Sequence, residues 1–348
     1  MTNLDALTRL KKETLSSVTV LFGEDVGLFA HMKETLLKQI GYHPSDLTYS
    51  YFDLSATRYS DVAMDLESLP FFSEEKVVIL DNVLDITTTR KSYLTEQELK
   101  QLEVYLEHPL ETTRLIICAA GKLDGKRRLV KLLKRDALLL EASPLSEDEL
   151  QKYFINLART SGLSFEAGSF DALMRKSQYD FGQLLKNMSF LTNYKGSGSA
   201  ISLKDIDEAI PKSLQDNIFD LTKLILSGKV TEGLGLVADL RLQGEDEVKL
   251  IAIILGQLRL LLQVKLLSRR GFSEPQLVTE LSDYLGRSVH PYQVKVALRD
   301  GQQLPVERLK TAIKTLIKTD FEIKSGLHEK AYLFEIALLK LANQSHKS

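Results

Sequence analysis

Cysteine is scarce in this chain. Among 348 residues there is one, Cys118, and it lies in the apolar run 115–120. A single thiol excludes a framework of intrachain disulfides, and it leaves cysteine-based zinc binding with too few ligands. Because free cysteine is often buried, we expect Cys118 to be a small hydrophobic core residue.

Targeting and membrane signals are also absent from the sequence. The amino terminus lacks the apolar core of a signal peptide, and its charges are too mixed for a transit sequence. The most apolar stretch, 250–267, is interrupted by glutamine, arginine and lysine, so we expect a core helix rather than a membrane span. Apolar residues make up 44% and charged residues 26% of the chain, which is typical of a soluble globular protein. We therefore predict a cytoplasmic protein.

Strand-like and helix-like segments alternate through residues 1–143. Apolar and β-branched runs predict strands at 18–22, 48–54, 76–80, 114–120 and 137–141. Helical spacing of apolar residues predicts helices at 26–40, 59–66 and 95–107, the last opened by a Thr95–Glu98 capping box. Strands that alternate with helices indicate an α/β domain with a mainly parallel sheet that is covered on both faces.

The pattern changes after Pro144, where helical spacing continues and no convincing strand follows. Ser146 and Glu149 form another capping box, and Pro211 marks a second boundary. Two apolar stripes predict helices that pack on each other, one made of Val248, Ile251, Leu255, Leu258 and Leu262, the other of Leu327, Ala331, Phe334, Leu338 and Leu341. We predict three domains: α/β over 1–143, small, helical and lid-type over 144–211, and helical over 212–348.

The phosphate loop of a nucleotide-binding α/β domain would lie between the first strand and the first helix. That segment, 22–27, contains no Gly-Lys-Ser/Thr, and Glu24 and Asp25 stand where a triphosphate would sit. Their negative charges would repel phosphate and are suited to capping the helix themselves. We predict no nucleotide-binding residues here and no bound cofactor.

Other catalytic signals are missing as well. After the strand at 76–80, Asp81-Asn82 stands where an ATPase usually has Asp-Glu. The six histidines are scattered without metal-ligand spacing, and there is no Gly-x-Ser-x-Gly turn. We predict no catalytic residues, no metal site and an α/β fold that is kept for its shape.

One loop is unusually apolar. Leu69, Pro70, Phe71 and Phe72 lie between serines, in the connection from a helix to the strand at 76–80. Proline restricts itself and the residue before it, so the rings would be presented at low entropic cost to a partner's pocket. The residues alone favour the alternative that both rings fold back as a local core, because apolar loop residues usually pack.

A second segment, 121–135, is strongly basic. Leu129, Leu132 and Leu133 fall on one face, which predicts a short amphipathic helix. Its charged face is expected to be solvated; a phosphate-facing surface is the alternative. The net charge of −2 does not by itself predict nucleic-acid binding.

The whole chain resembles the delta subunit of the bacterial DNA polymerase III clamp loader, in its low-GC Gram-positive form. The residues that carry the resemblance are the Leu-Phe-Gly-Glu-Asp turn at 21–25, the block 68–78, Asp-Phe-Gly-Gln-Leu at 180–184, and the run 213–221. Their order and spacing over nearly the full length make the match specific.

The resemblance implies an AAA+-like (RecA-like) first domain without a functional phosphate loop, a small helical domain and a helical collar domain. It also implies that Leu69, Pro70, Phe71 and Phe72 bind the sliding clamp, the beta ring, and help to open it. The partners would be ATPase and delta-prime subunits in a heteropentamer, with primer-template DNA inside. As part of a DNA polymerase holoenzyme, such a subunit has no catalytic site of its own. Residues that contact DNA are not assigned.

Two other functions remain open from the sequence. The chain could be an ATP-binding AAA+ ATPase with a divergent phosphate loop, which predicts micromolar affinity for ATP. It could also be a helical scaffold of another complex, which predicts no affinity for a sliding clamp.

Overall fold

A computed structural model describes residues 4, 7, 10–71, 73–196, 198, 200–212, 214–286, 289 and 291–343. Phe72 therefore lies outside the described residues. The chain divides into two compact units. We call Met1–Phe154 with Asp180–Lys186 the sheet unit, and Ile155–Tyr179 with Asn187–Ser348 the helical unit. The three-domain division stays a prediction.

The sheet unit is built on a five-stranded sheet. Its strands are β1 Val18–Gly23, β2 Tyr49–Asp53, β3 Lys76–Asp81, β4 Thr113–Ala120 and β5 Leu138–Glu141. They are ordered β2-β3-β4-β1-β5, and each neighbouring pair is parallel. The connecting helices are α1 Val26–Gln39, α2 Tyr59–Glu67, α3 Glu96–Glu107 and α4 Arg128–Asp136. The predicted α/β fold with a parallel sheet is confirmed.

Strands β1 and β3 are buried along their whole length, which explains their continuous apolar sequences. The Thr95–Glu98 capping box opens α3 as predicted: the Thr95 amide donates to the Glu98 carboxylate at 2.7 Å. Short 3₁₀ turns lie at Lys12–Thr14 and Leu84–Ile86.

The basic segment does contain an amphipathic helix, but α4 begins only at Arg128. Leu129, Leu132 and Leu133 are buried on one face. Arg128 forms ion pairs of 2.6 Å with Glu103 and of 2.6 Å with Glu107. The charge of Arg128 is thus partly compensated by α3, and the two interpretations of the charged face, solvated or phosphate-facing, stay predictions.

Apart from α5, which lies mostly in the sheet unit, the remaining helices belong wholly or largely to the helical unit. They are α5 Glu147–Thr160, α6 Ser169–Lys176, α7 Phe181–Lys195, α8 Leu203–Ala209, α9 Leu214–Leu226, α10 Val230–Leu242, α11 Glu247–Ser268, α12 Glu274–Leu285, α13 Pro291–Gly301, α14 Val306–Lys324 and α15 Lys330–Asn343. Helices α5 and α7 begin in the sheet unit.

The expectation of no strand after Pro144 is wrong: β6 Ser164–Phe165 and β7 Ala200–Ile201 pair in parallel. Strands of two residues are too short to show an alternating pattern.

Helix α11 lies in the core of the helical unit, as its apolar sequence predicted. Ile251, Leu255 and Leu258 are buried there, and the buried face also includes Leu250 and Ile254. By length and composition alone α11 could also cross a membrane, and the core helix of a globular protein meets the same two criteria.

The carboxy-terminal stripe is only partly confirmed. Phe334, Leu338 and Leu341 are buried on α15, but Leu327 is 59% exposed. Helix α14 ends at Lys324 and Gly326 adopts a left-handed conformation, so Leu327 lies in the connection and not on the helical stripe.

Candidate functional site

The apolar loop, residues 68–75, connects α2 to β3 and lies at the amino edge of the parallel sheet. Leu69 is 65% exposed and Phe71 is 88% exposed, while Pro70 is half-buried. Phe71 therefore does not fold back as a local core, contrary to the alternative that the residues alone favoured. Phe72 lies outside the described residues.

Three residues hold the start of the loop. The Asp65 carbonyl, near the end of α2, accepts hydrogen bonds from the Ser68 amide at 3.2 Å and the Ser68 hydroxyl at 2.9 Å. The buried Lys76 ammonium donates to this same carbonyl and to the Ser68 hydroxyl, the latter at 2.8 Å. It also lies 3.6 Å from the Asp65 carboxylate. The residue directly before Leu69 is thus fixed in position.

The end of the loop is held by a separate set of contacts. The Ser73 hydroxyl donates to the Glu75 carbonyl. Arg114 on β4 donates to both carboxylate oxygens of Glu75, at 3.0 and 2.5 Å. This bidentate pair lowers the pKa of Glu75 from its ordinary value. Both ends of the loop are therefore anchored, and Leu69 and Phe71 between them are exposed to solvent.

A groove between α2 and α3 borders the start of the loop. Its volume is about 530 Å³, and its walls include Ala63, Leu66 and Glu67 from α2 and Val104 and Tyr105 from α3. Apolar surface is thus accessible beside the loop as well as on it.

The phosphate position after β1 is closed by the chain's own groups. Gly23 has φ +148°, and a Cβ there would lie 2.2 Å from the Ala142 carbonyl oxygen. The Asp25 amide donates to that carbonyl at 3.1 Å. The Asp25 carboxylate caps α1 by accepting from the Leu28 amide at 2.9 Å, as its position in the sequence indicated. The Leu28 amide, in the first turn of the helix, thus already has an internal partner.

The first turn of α7 closes the same position sterically. A Cβ on Gly27 would lie 2.6 Å from the Gly182 Cα, so the two backbones approach each other directly. Phe181 holds this turn in place because its ring is buried against His31, Tyr153 and Phe154, at centroid distances of 5.1 to 5.4 Å. Burial, together with the nearby charge of Asp180, outweighs the capping hydrogen bond and raises the pKa of Asp25.

Asp81, at the end of β3, stands where an ATPase usually has the first residue of its Asp-Glu pair, and here its carboxylate contacts an internal cation. Lys33 on α1 forms an ion pair with Asp81, and the Tyr51 hydroxyl donates to the same carboxylate at 2.5 Å. Burial opposes the charge on Lys33, but hydrogen bonds to Asp81 and Tyr51 outweigh it and raise the pKa of Lys33. Asn82 donates to Asp53 at 2.8 Å. The Asp81 carboxylate is thus already paired with a lysine.

Chemically reactive groups are few. Among the described residues, no group of three or more His, Cys, Asp and Glu side chains is arranged to hold a metal ion. Cys118 is buried in β4, as predicted, and burial raises the pKa of its thiol to about 12. The exposed apolar loop is consequently the best candidate for a functional site.

The parallel sheet and the helical carboxy-terminal region define an α/β protein with a helical carboxy-terminal part. Two family descriptions match: "DNA polymerase III, delta subunit" over residues 20–143, and its "C-terminal domain" over 215–341. DNA polymerase III subunit delta of Bacillus subtilis is 29% identical over 349 residues, 99% of this chain and 98% of that protein. The solved structure of the B. subtilis DNA clamp loader delta protein matches with a TM-score of 0.71 and 28% identity over 98% of each chain. The chain belongs to the DNA polymerase III delta-subunit family, and the predicted resemblance is confirmed.

Sequence reasoning missed two residues that shape these loops. The local pattern predicts Lys76 as the first residue of a strand, and nothing in that pattern indicates that its ammonium is buried beneath the loop. Gly182 was noted only as part of a motif. Its contact with Gly27 joins residues far apart in the sequence, which a local pattern cannot reveal.

Proposed function

We propose that this chain, as a clamp-loader delta subunit, binds a ring-shaped sliding clamp through the apolar loop and favours opening of the ring. The observation that carries the proposal is the exposure of Phe71, 88%, on a loop whose two ends are anchored. Fully burying a phenylalanine stabilises a complex by about 1.5–3 kcal/mol. An aromatic side chain held in solvent is therefore well suited to fill a partner's pocket.

Ring opening would follow from differential affinity. A ligand shifts an equilibrium only by the difference between its affinities for the two states. The loop would thus bind the open or distorted form of the clamp more tightly than the closed form. Leu69, Pro70, Phe71 and Phe72 are the proposed contact residues.

We further propose that the chain does not itself bind ATP. Support comes from the capping role of Asp25, the approach of Gly182 to Gly27, and the pairing of Asp81 with Lys33. ATP would be bound and hydrolysed by other subunits of a pentameric, cytoplasmic complex that includes a delta-prime type subunit. Primer-template DNA would pass inside this complex, held mainly through its phosphates.

Two calorimetric titrations of the purified chain test the proposal. Purified sliding clamp should bind without any nucleotide, and ATP with magnesium should give no saturable heat at micromolar concentrations. Absence of clamp binding would contradict the proposed function. Micromolar ATP binding would instead favour the alternative of an ATPase with a divergent phosphate loop.

A further inference from the structure

We propose that Lys76 is a positioning residue for the apolar loop: its buried ammonium fixes Ser68 and so sets the direction in which Leu69 and Phe71 project. This inference rests on the proposed function, because its consequence is measured as clamp affinity. Lys76 itself does not touch the clamp. It acts on the residues that do.

The burial of Lys76 requires an explanation. It is the first residue of β3, an interior strand of the sheet, and it is 6% exposed. A buried ammonium is unfavourable unless its donors are satisfied, and lysine is among the residues least often buried. A methionine or leucine would fill the same space without that cost.

The donors of Lys76 are directed at the base of the loop. They reach the Asp65 carbonyl and the Ser68 hydroxyl, with the Asp65 carboxylate 3.6 Å away. The Ser68 hydroxyl in turn donates to the Asp65 carbonyl at 2.9 Å. This closed set of contacts ties the last turn of α2 to the first strand residue after the loop.

The order imposed on Ser68 extends toward the tip. Leu69 follows directly, and Pro70 restricts the backbone of Leu69 as well as its own. Little conformational freedom remains between the fixed Ser68 and the exposed Phe71. Without the Lys76 contacts, these residues would have to be ordered on binding, which costs free energy and weakens the complex.

The test compares two lysine-to-methionine variants for clamp affinity. Lys76→Met keeps the apolar stem and removes the donors, and we expect clamp affinity to fall about tenfold. Lys33→Met is the matched control: Lys33 is also partly buried and also paired with a carboxylate, but at Asp81, the opposite end of β3. It should lose stability and keep wild-type clamp affinity within about twofold.

A double-mutant cycle separates positioning from a merely structural role. In a Phe71→Ala background, Lys76→Met should weaken clamp binding further by less than about threefold, because the positioned ring is gone. Amide hydrogen exchange at 68–71 in the free protein should be faster in Lys76→Met than in wild type or Lys33→Met. If Lys76→Met does not fold, Ser68→Ala serves in the same cycle, with an expected loss of about threefold.

The two proposals fail in different ways. If wild type does not bind the clamp, the proposed function is wrong and this inference falls with it. If wild type binds and Lys76→Met binds equally well, or loses as much affinity in the Phe71→Ala background as in wild type, the positioning role of Lys76 alone is overturned.

Discussion

The turn after β1 and the loop before β3 lie at opposite edges of one parallel sheet, and they differ in what they leave accessible. In the turn, Asp25 caps its own helix and Gly27 meets the backbone of Gly182. Among the described residues of the loop, the hydrogen bonds and ion pairs lie at the two ends, and Leu69 and Phe71 are exposed to solvent. One connection contacts internal partners, and the other leaves apolar side chains accessible.

This difference indicates which edge of the parallel sheet has apolar surface accessible for binding. The edge that would bind phosphate contributes stability through a helix cap and a backbone contact. The opposite edge presents apolar side chains, which gain free energy when another protein buries them. Under the proposed function, this scaffold supports protein binding in place of phosphate binding.

The largest expected effect is a loss of clamp affinity when residues of the apolar loop are changed. Phe71→Ala and Phe72→Ala should each weaken clamp binding by at least about 1–2 kcal/mol, and together by about 2–4 kcal/mol, with unchanged circular dichroism. Leu242→Ala is the matched control, since Leu242 is also 88% exposed but lies at the end of α10. Equal losses in the control and the loop variants would mean that exposure alone, and not this loop, determines binding.

The closed turn is tested by Gly27→Ala. The added methyl would overlap the Gly182 backbone, so the unfolding free energy in urea should fall by about 1–3 kcal/mol. Gly235→Ala in α10 is the control because, apart from the backbone of its own helix and its chain neighbours, no described atom lies within 4 Å of its Cβ position; its unfolding free energy should rise by about 0.5–1 kcal/mol. A fully tolerated Gly27→Ala would show that the turn is not closed by α7.

A smaller effect is expected at the second anchor of the loop. Arg114→Met removes the bidentate pair with Glu75. The Arg114 side chain is 24% exposed and the Glu75 side chain is 38% exposed. Because solvent screens such a pair, clamp affinity should fall by less than about 1 kcal/mol. The loss should shrink as salt is raised, as measured by calorimetry at low and high ionic strength. A loss larger than that of Phe71→Ala would place the main binding contact at Arg114 and not at the loop tip.

The smallest effect is a dependence on pH. The pKa of Asp25 is raised in the folded chain, mainly by burial, so ionised Asp25 reduces stability as pH rises above about 4. Asn caps helices as well as Asp does. The stability of Asp25→Asn relative to wild type should therefore be higher at pH 7 than at pH 4 in denaturant titrations, whereas Asp25→Ala should lose the cap at both. A relative stability of Asp25→Asn that is the same at both pH values would contradict this account.

Local chemistry explains which features could be predicted from the sequence. The strands of the sheet, the Thr95–Glu98 capping box and the capping role of Asp25 all depend on residues within one helical turn or one strand. The missing phosphate motif is likewise a local fact. These predictions agree with the structure to within a residue or two at each boundary.

The features that were missed depend on distant residues or very short elements. The exposure of Phe71 arises because no element within the described ranges covers it, and the burial of Lys76 depends on α2. Leu327 has helical spacing but lies before the first residue of α15. Composition and periodicity carry no information about such tertiary relations.

The central claim is that an anchored apolar loop binds a sliding clamp without nucleotide. The most direct measurement is retention of the purified chain on immobilised clamp in ATP-free buffer, with wild type beside the Phe71→Ala/Phe72→Ala variant. The account predicts that wild type is retained and that the variant, although folded, passes through. Equal retention of both proteins, or of neither, would contradict it.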